Sequence, residues 1–283
     1  MSMWPTEFEY ERADSVDNAL EKLSGNAKVL AGGHSLIPAL KLRLAQPETL
    51  VDIGRLSELK GISANGSLKI GATTTHAEVA ASGDVQTMCA SLAFACGQIG
   101  DPSVRNFATL GGNVAHADPA SDPPTVLVAA GATIHLQNAS GSRTVAASDF
   151  FIDLFTTDLQ DGELVTAIEV PDLSGKKTAY AKLYHPASHY ALVGVCVVLD
   201  MNGNHCNSAS VAVGGATVNA LRCAGAEAVL AGSAINEQTL DAAAAAIQQD
   251  IADRTMGDSI YPESYRQAMA GVYLKRAVNE ALG

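Results

Sequence analysis

Gly32 and Gly33 separate an apolar, strand-like segment, residues 27–31, from an amphipathic segment that begins near Ser35. Glycine tolerates positive φ and lets a ligand approach the backbone without a Cβ in the way. The N–H groups of such a turn point outward beside the positive end of a helix, where a diphosphate fits. The fingerprint G-x-G-x-x-G is absent here, so this pair taken alone favours a simple tight turn over a ligand site.

A second glycine pair, Gly111 and Gly112, lies within residues 99–136, where small and polar residues are packed between two apolar elements. Loops of this length inside a compact domain are usually functional or disordered, and a composition with few charges does not favour disorder. Two glycine turns from separate elements can clamp one long dinucleotide. A side chain at Gly111 is therefore expected to enter the path of the diphosphate.

The hydrophobic pattern of the first 55 residues predicts a right-handed βαβ unit preceded by a helix. The predicted elements are a helix through Val16, Leu20 and Leu23 that Asp14 or Ser15 caps, a strand at 27–31, a helix from near Ser35 that ends before Pro47, and a strand at 48–53.

The following region alternates strand-like and helical patterns. We predict a strand and a helix within 67–82, with Thr73 to Thr75 near the helix start, one buried helix at 84–100, and strands within 131–138, 142–150 and 162–171. Pro171 and the polar residues after it make the best linker, which places a boundary near 171–177. The predicted domains are residues 1–174, with subdomains at about 1–55 and 56–174, and residues 175–283.

The last region predicts three strands followed by about three helices. The strands lie within 179–185, 190–204 and 206–216, and an Asn202-Gly203 turn joins the last two. The alanine-rich tail from Leu221 is helical in pattern, with stops at Gly232 and around Pro262. The predicted fold class is therefore α+β.

Composition excludes several functions. The formal net charge of −12 makes nucleic acid an unlikely partner. The five cysteines are odd in number and contain no C-x-x-C pair, so a zinc site and a disulfide framework are both poorly supported. Five cysteines are also too few for a pair of iron–sulfur clusters, so any such cluster belongs to another chain. The spacing of His116, Asp118 and Asp122 matches no metal pattern, and the two aspartates are expected to fix turns.

The sequence predicts no transmembrane segment and a cytoplasmic location. The longest uncharged apolar run, residues 190–199, is shorter than the roughly 20 residues that a bilayer requires. The acidic N-terminal stretch, residues 1–15, lacks the basic and apolar regions of a signal peptide.

Five segments match one known family in order: residues 31–38, 49–56, 70–79, 99–122 and 185–195. Through them the chain resembles the flavin-binding medium subunits of molybdenum hydroxylases, such as aerobic carbon monoxide dehydrogenase and relatives of xanthine dehydrogenase. The resemblance implies a PCMH-type FAD-binding fold, made of a small α/β N-terminal subdomain and an antiparallel-sheet subdomain. A C-terminal α+β domain with a three-stranded antiparallel sheet and about three helices would follow.

The same resemblance implies where FAD binds. The first loop would wrap the pyrophosphate, the second would complete that site, an acidic residue would bind the sugar portion, and two residues of the C-terminal domain would lie near the isoalloxazine. In this order, the residues are Ala31, Gly32, Gly33, His34 and Ser35; Thr109, Leu110, Gly111, Gly112 and Asn113; Asp122; and Lys182 and Tyr190.

The function that the resemblance implies is electron transfer. A large partner would carry molybdenum with its pterin, a small partner would carry two [2Fe–2S] clusters, and this chain would collect electrons on FAD and pass them to an acceptor. No catalytic acid, nucleophile or metal ligand is expected here. Two alternatives remain open, a stand-alone flavin-dependent oxidase and a cofactor-free assembly or nucleotide-binding protein.

Two residues qualify the resemblance. His34 matches a histidine that attaches FAD covalently in related flavoproteins, but the molybdenum-hydroxylase pattern favours a hydrogen-bonding role within the loop or near phosphate. Before Tyr190 the chain reads His-Pro-Ala-Ser-His, whereas carbon monoxide dehydrogenase flavoproteins favour basic residues and a Gly-Asp pair. This departure weighs against carbon monoxide as substrate and leaves the FAD assignment unchanged.

Overall fold

A computed structural model describes residues 4–283, and residues 1–3, the start of the acidic N-terminal stretch, lie outside the described residues. The chain forms three units in sequence order. Each unit has a main β-sheet and a cluster of buried apolar side chains. The α+β class and the layout that the resemblance implies are confirmed.

The first unit is a three-stranded parallel sheet in the order β1-β3-β2. The predicted βαβ unit is confirmed as β2, α2 and β3, whereas β1 was not predicted. Ser15 caps the first helix by accepting a hydrogen bond from the N–H of Asn18, at 3.1 Å. The elements are β1 Glu9–Arg12, α1 Val16–Lys22, β2 Ala27–Leu30, α2 Leu36–Lys41 and β3 Thr49–Asp52.

The second unit contains seven helices and a five-stranded antiparallel sheet in the order β4-β5-β10-β6-β7. A short 3₁₀ helix, Ser57–Leu59, precedes it. The elements are β4 Ile62–Ala64, β5 Ser67–Gly71, α3 His76–Ala81, α4 Gly83–Met88, α5 Ala90–Gly97, α6 Pro102–Phe107, α7 Leu110–His116, α8 Asp122–Ala130, β6 Thr133–Asn138, β7 Gly141–Ala146, α9 Ala147–Phe150, β8 Phe151–Asp153, β9 Thr156–Thr157 and β10 Leu164–Pro171.

The single helix predicted over 84–100 is wrong, because the chain turns at Cys89 and forms α4 and α5 instead. Cys89 has φ of −153° and ψ of 70°, which lie outside the helical region. The turn lets Val85 on α4 and Leu92 on α5 reach the same core. Cys89 and Cys96 are both buried in this core.

The third unit is an antiparallel sheet in the order β11-β12-β13-β14, with β15 also paired to β13. Its three long strands are the predicted ones, and two strands of two residues extend them. The hairpin turn lies one residue later than predicted, at Gly203 and Asn204, because Asn202 still pairs with His205. The elements are β11 Lys177–Tyr184, β12 Ala191–Asn202, β13 His205–Gly214, β14 Leu221–Arg222, α10 Ala224–Leu230, β15 Ser233–Ala234, α11 Glu237–Asp250, a 3₁₀ helix Ala252–Arg254 and α12 Glu263–Leu282.

The sheet of the third unit is buried on both faces. Val195 and Val197 on β12 pack against the helices of the third unit, whereas Cys196 and Val198 pack into the core of the second unit. Alternate side chains of a strand point to opposite faces, so a strand covered on both sides reads as a continuous apolar run. Residues 191–199 of the apolar run therefore form most of β12, a strand that lies between two units. In residues 4–283 no helix has the length and apolar character needed to cross a membrane.

Candidate cofactor site

The two predicted glycine segments are in contact. Gly32 lies so close to the segment before α7 that a Cβ at this position would be 2.2 Å from the carbonyl oxygen of Phe107 and 2.8 Å from the Cα of Ala108. No side chain fits at that distance. Gly32 is therefore required for the approach of two backbone segments that are 75 residues apart in the sequence.

The first glycine loop, residues 31–35, has unused backbone donors. Within residues 4–283 the N–H groups of Gly32, Gly33, His34 and Ser35 donate no hydrogen bond. Gly33 has φ of +75°, which glycine adopts at low cost, and Ser35 leads directly into α2. Successive free N–H groups in a partly exposed turn are suited to an anion.

His34 connects the loop to α6. Its Nε2 lies 3.3 Å from the carbonyl oxygen of Ser103, and its ring packs edge-to-face on Phe107 at a centroid distance of 5.9 Å. The ring therefore contributes to the contact that Gly32 makes through its backbone. This geometry agrees with a hydrogen-bonding role for His34 within the loop region.

The second predicted loop, residues 109–113, is the first turn of α7, and its donors are already used. The N–H of Leu110 donates to the carbonyl oxygen of Thr74, that of Gly111 donates to Ala72, both at 2.9 Å, and that of Gly112 donates to the hydroxyl of Thr109 at 3.2 Å. The unused N–H groups of the first glycine loop therefore have no counterpart in these three residues.

Gly111 and Gly112 have different surroundings. Gly111 is buried, and a Cβ on it would be 2.4 Å from the Cβ and 2.7 Å from the Cα of Ala72. Its side-chain direction therefore points into the core, and the expectation that it faces a diphosphate is wrong. Gly112 is exposed, and its added Cβ would approach only the hydroxyl of Thr109. Of the pair, only Gly112 presents an open surface.

Asp122 and Lys182 form an ion pair that joins the second and third units. Nζ of Lys182 lies 2.7 Å from Oδ2 of Asp122, and the hydroxyl of Tyr180 donates to Oδ1 at 2.6 Å. The side chains of Lys182 and Asp122 are only 7% and 5% exposed. Burial raises the pKa of Asp122, while the charge of Lys182 and the two hydrogen bonds oppose that effect. The turn-forming role expected for Asp122 is wrong, whereas Asp118 does form a turn by accepting from the N–H of Ala120.

Tyr180 is a site residue that the sequence did not reveal. It lies two residues before Lys182 on β11, so both side chains are on the same face of the strand. Gly194, which pairs with Lys182 on β12, makes room for it, because a Cβ there would be 2.3 Å from the Tyr180 hydroxyl oxygen. The alternation of side chains along β11 could be inferred from the sequence, but the contact between Tyr180 and Asp122 on α8 could not.

Hydrogen bonds connect α7 to the segment that follows it, and that segment to the third unit. Oδ1 of Asn113 accepts from the hydroxyl of Ser121, which directly precedes Asp122. The carbonyl oxygen of Pro119 accepts from the N–H of Gly215 at 2.8 Å, and that of Ala120 accepts from the N–H of Ala191 at 3.2 Å. We call this series of contacts the contact line. It runs from Gly32 and its neighbour Phe107, through α7, to the ion pair of Asp122 and Lys182.

Tyr190 lies at the edge of the third unit, immediately before β12, and is half exposed. Burial, together with the charges of Asp118 and Asp122, raises the pKa of its hydroxyl. It follows a tight loop in which the N–H of His185 donates to the carbonyl of Tyr190 at 2.7 Å and His189 has φ of +61°. Histidine is among the residues that tolerate this conformation. The ring of Tyr190 is therefore accessible at the edge of the third unit.

These features fit a dinucleotide that carries a diphosphate and a polar ring system. The first glycine loop offers free donors for negative oxygens. At the other end of the contact line, the ammonium of Lys182 has three N–H donors, of which Asp122 uses one. A nearly buried ammonium with spare donors is suited to a polar ligand group.

His76 is hydrogen-bonded to the segment that leads into α7. It is the first residue of α3, its N–H donates to the carbonyl oxygen of Ala108 at 3.0 Å, and it is 1% exposed. Its Nδ1 has no partner within residues 4–283. Burial lowers the pKa of His76 to about 4, so the ring is neutral at neutral pH.

Two family models match consecutive parts of the chain. Residues 6–173 match the FAD binding domain in molybdopterin dehydrogenase, and residues 178–281 match the CO dehydrogenase flavoprotein C-terminal domain.

Known proteins match almost the full length. The glyceraldehyde dehydrogenase medium chain of Sulfolobus acidocaldarius is 41% identical over 98% of this chain and 99% of its own length. The carbon monoxide dehydrogenase medium chain of Hydrogenophaga pseudoflava is 40% identical over 99% and 98%. A solved structure of carbon monoxide dehydrogenase from the same organism, which lacks the molybdenum-pyranopterin moiety, superposes with a TM-score of 0.93 at 39% identity over 98% of both chains.

Replacing Gly111 with alanine should destabilise the second unit by about 1–3 kcal/mol, because the added Cβ overlaps Ala72 in a packed core. Thermal unfolding of the full chain measures the effect. Gly83→Ala is the matched control, since nothing lies within 4 Å of a Cβ there. Equal stability of the two variants would contradict the packing role of Gly111.

The free energy of unfolding should decrease as the pH falls, and the titration of His76 should cause part of this decrease. The unfolded ring titrates near 6.5 and the folded ring near 4, so the unfolded state binds the proton first and stability decreases as pH falls below 6.5. Between pH 7.5 and pH 5 the free energy of unfolding should decrease by about 2 kcal/mol for this reason. Denaturant unfolding of wild type and His76→Phe at both pH values measures it.

The His76→Phe variant should lose that part of the acid dependence, because phenylalanine does not titrate. His205→Gln serves as control, since His205 is exposed and should leave the wild-type dependence intact. An unchanged dependence in His76→Phe would show that other groups cause the acid sensitivity.

Proposed function

Because the chain belongs to the family of FAD-binding medium subunits of molybdenum hydroxylases, we propose that it transfers electrons between partner chains and an external acceptor. FAD is its cofactor, and the chain is an oxidoreductase subunit. Relatives of nearly equal similarity are named for glyceraldehyde and for carbon monoxide. This supports the view that substrate chemistry lies in another chain of the complex.

In the proposed complex, a large partner carries molybdenum with its pterin and oxidises the substrate, and a small partner carries two [2Fe–2S] clusters. Bound FAD would supply the redox chemistry that links the clusters to the acceptor. The residues of this chain bind and orient the cofactor and leave its reactive ring accessible.

The observation that carries the proposal is the contact line, which joins all three units. We assign the diphosphate to the free N–H groups of the first glycine loop. The α7 turn contributes through the exposed backbone surface of Gly112 and through Thr109 and Asn113, because the N–H groups of Leu110, Gly111 and Gly112 all donate within the protein. Asp122 and Lys182 then hold the end of the cofactor that reaches the third unit, beside Tyr190.

The glycines of the first loop test the position of the diphosphate. Gly33→Ala should weaken FAD binding at least tenfold, because alanine disfavours φ of +75° and the loop must move to relieve it. Gly66→Ala is a closely matched control, with φ of +76° in the turn between β4 and β5 and no atom within 4 Å. Calorimetric titration of the FAD-free chain measures both affinities. Equal weakening in the two variants would argue against this location.

Anaerobic electron transfer tests the proposed function. The FAD-loaded chain is mixed with its cluster-bearing partner, reduced beforehand with dithionite and freed of excess reductant, and bleaching of the flavin absorbance is followed. We expect bleaching with the intact partner and none with a partner whose clusters were removed.

The alternatives give different results. Turnover of an aldehyde by this chain alone, with flavin that remains attached after denaturation, would identify a stand-alone oxidase and would count against the electron-transfer role. A folded chain that shows no heat on titration with FAD would indicate an assembly protein.

A further inference from the structure

Tyr180 is buried without being part of the proposed cofactor surface. It is 1% exposed and packs in the core between the second and third units, yet its hydroxyl reaches Oδ1 of Asp122 at 2.6 Å. A phenylalanine would fill the same core volume without a polar group to satisfy. The hydroxyl is therefore present for its hydrogen bond to Asp122.

The space for this hydroxyl exists because position 194 is glycine. Gly194 is in a regular part of β12 and does not have positive φ. A Cβ there would be 2.3 Å from the hydroxyl oxygen and 2.9 Å from two ring carbons of Tyr180. Glycine weakens a strand interior, so its presence marks a close approach. Here the approach is that of Tyr180 to β12.

The two oxygens of Asp122 have separate partners. Tyr180 occupies Oδ1 and Lys182 occupies Oδ2, so the carboxylate is held at both ends by β11. Without the Tyr180 hydroxyl the carboxylate can rotate and take a second N–H of Lys182. The ammonium would then have fewer donors for any other group.

We propose that Tyr180 is a positioning residue that fixes Asp122 so that Lys182 keeps its remaining N–H donors directed to the polar ring of the flavin. The proposal rests on the proposed function for the position of FAD. An ammonium held beside the ring stabilises the negative charge that accumulates on reduction and so raises the midpoint potential of the bound flavin. Tyr180 thereby sets the potential without touching the cofactor.

Tyr180→Phe should lower the midpoint potential of the bound flavin, as measured by spectroelectrochemical titration of the full-length chain. We expect about a tenfold weaker preference for the reduced flavin, which corresponds to about 30 mV for a two-electron couple. Tyr184→Phe is the matched control, since it lies on the same face of β11 but is exposed. It should keep the wild-type potential.

Two further variants separate positioning from structure. Gly194→Ala should lower the potential in the same direction, because it displaces the Tyr180 hydroxyl while retaining it. In a Lys182→Gln background, Tyr180→Phe should cause no additional shift, because the hydroxyl acts through the ammonium. An additive shift would overturn the proposed route.

A wild-type potential in FAD-loaded Tyr180→Phe would overturn the proposal. The proposal would also be overturned if Tyr180→Phe and Gly194→Ala lost FAD only when they also lost the fold. The hydroxyl would then have a purely structural role. Failure of the proposed function looks different. In that case wild-type FAD is not reduced by the cluster-bearing partner, whereas the potentials of the variants still differ.

Discussion

A carboxylate removed from water needs partners that stabilise its charge, and Asp122 finds both of them on another unit of the protein. Asp122 begins α8 in the second unit, whereas Tyr180 and Lys182 lie on β11 in the third. The pair therefore exists only when the sheet of the third unit is docked. That docking is mainly apolar, through residues such as Cys196 and Val198, and the ion pair adds a buried polar contact to it.

The ion pair is also the end of the proposed cofactor site, so docking of the third unit and completion of the site are the same event. The free N–H groups of the first glycine loop are contributed by the first unit, and the α7 turn by the second. Each unit therefore supplies one part of the proposed cofactor site.

The glycines of the two segments have different physical functions, although they look alike in the sequence. Gly32 permits contact between two backbones, Gly33 permits a positive φ, and Gly111 permits tight packing on Ala72. Gly112 alone is open to solvent. A glycine pair therefore indicates that something approaches the backbone closely, but that neighbour is as often the protein itself as a ligand.

The sequence by itself determined the local elements and the family. The βαβ unit around Gly32 and the three long strands of the third unit followed from periodicity and turn residues, since these depend on neighbours in the chain. Five ordered segments were sufficient to indicate FAD. Only the tertiary structure decided that Gly111 faces the core, that Cys89 breaks a helix, and that Tyr180 binds Asp122. These facts depend on contacts between segments as much as 58 residues apart, and no local pattern encodes which distant surface a side chain will meet.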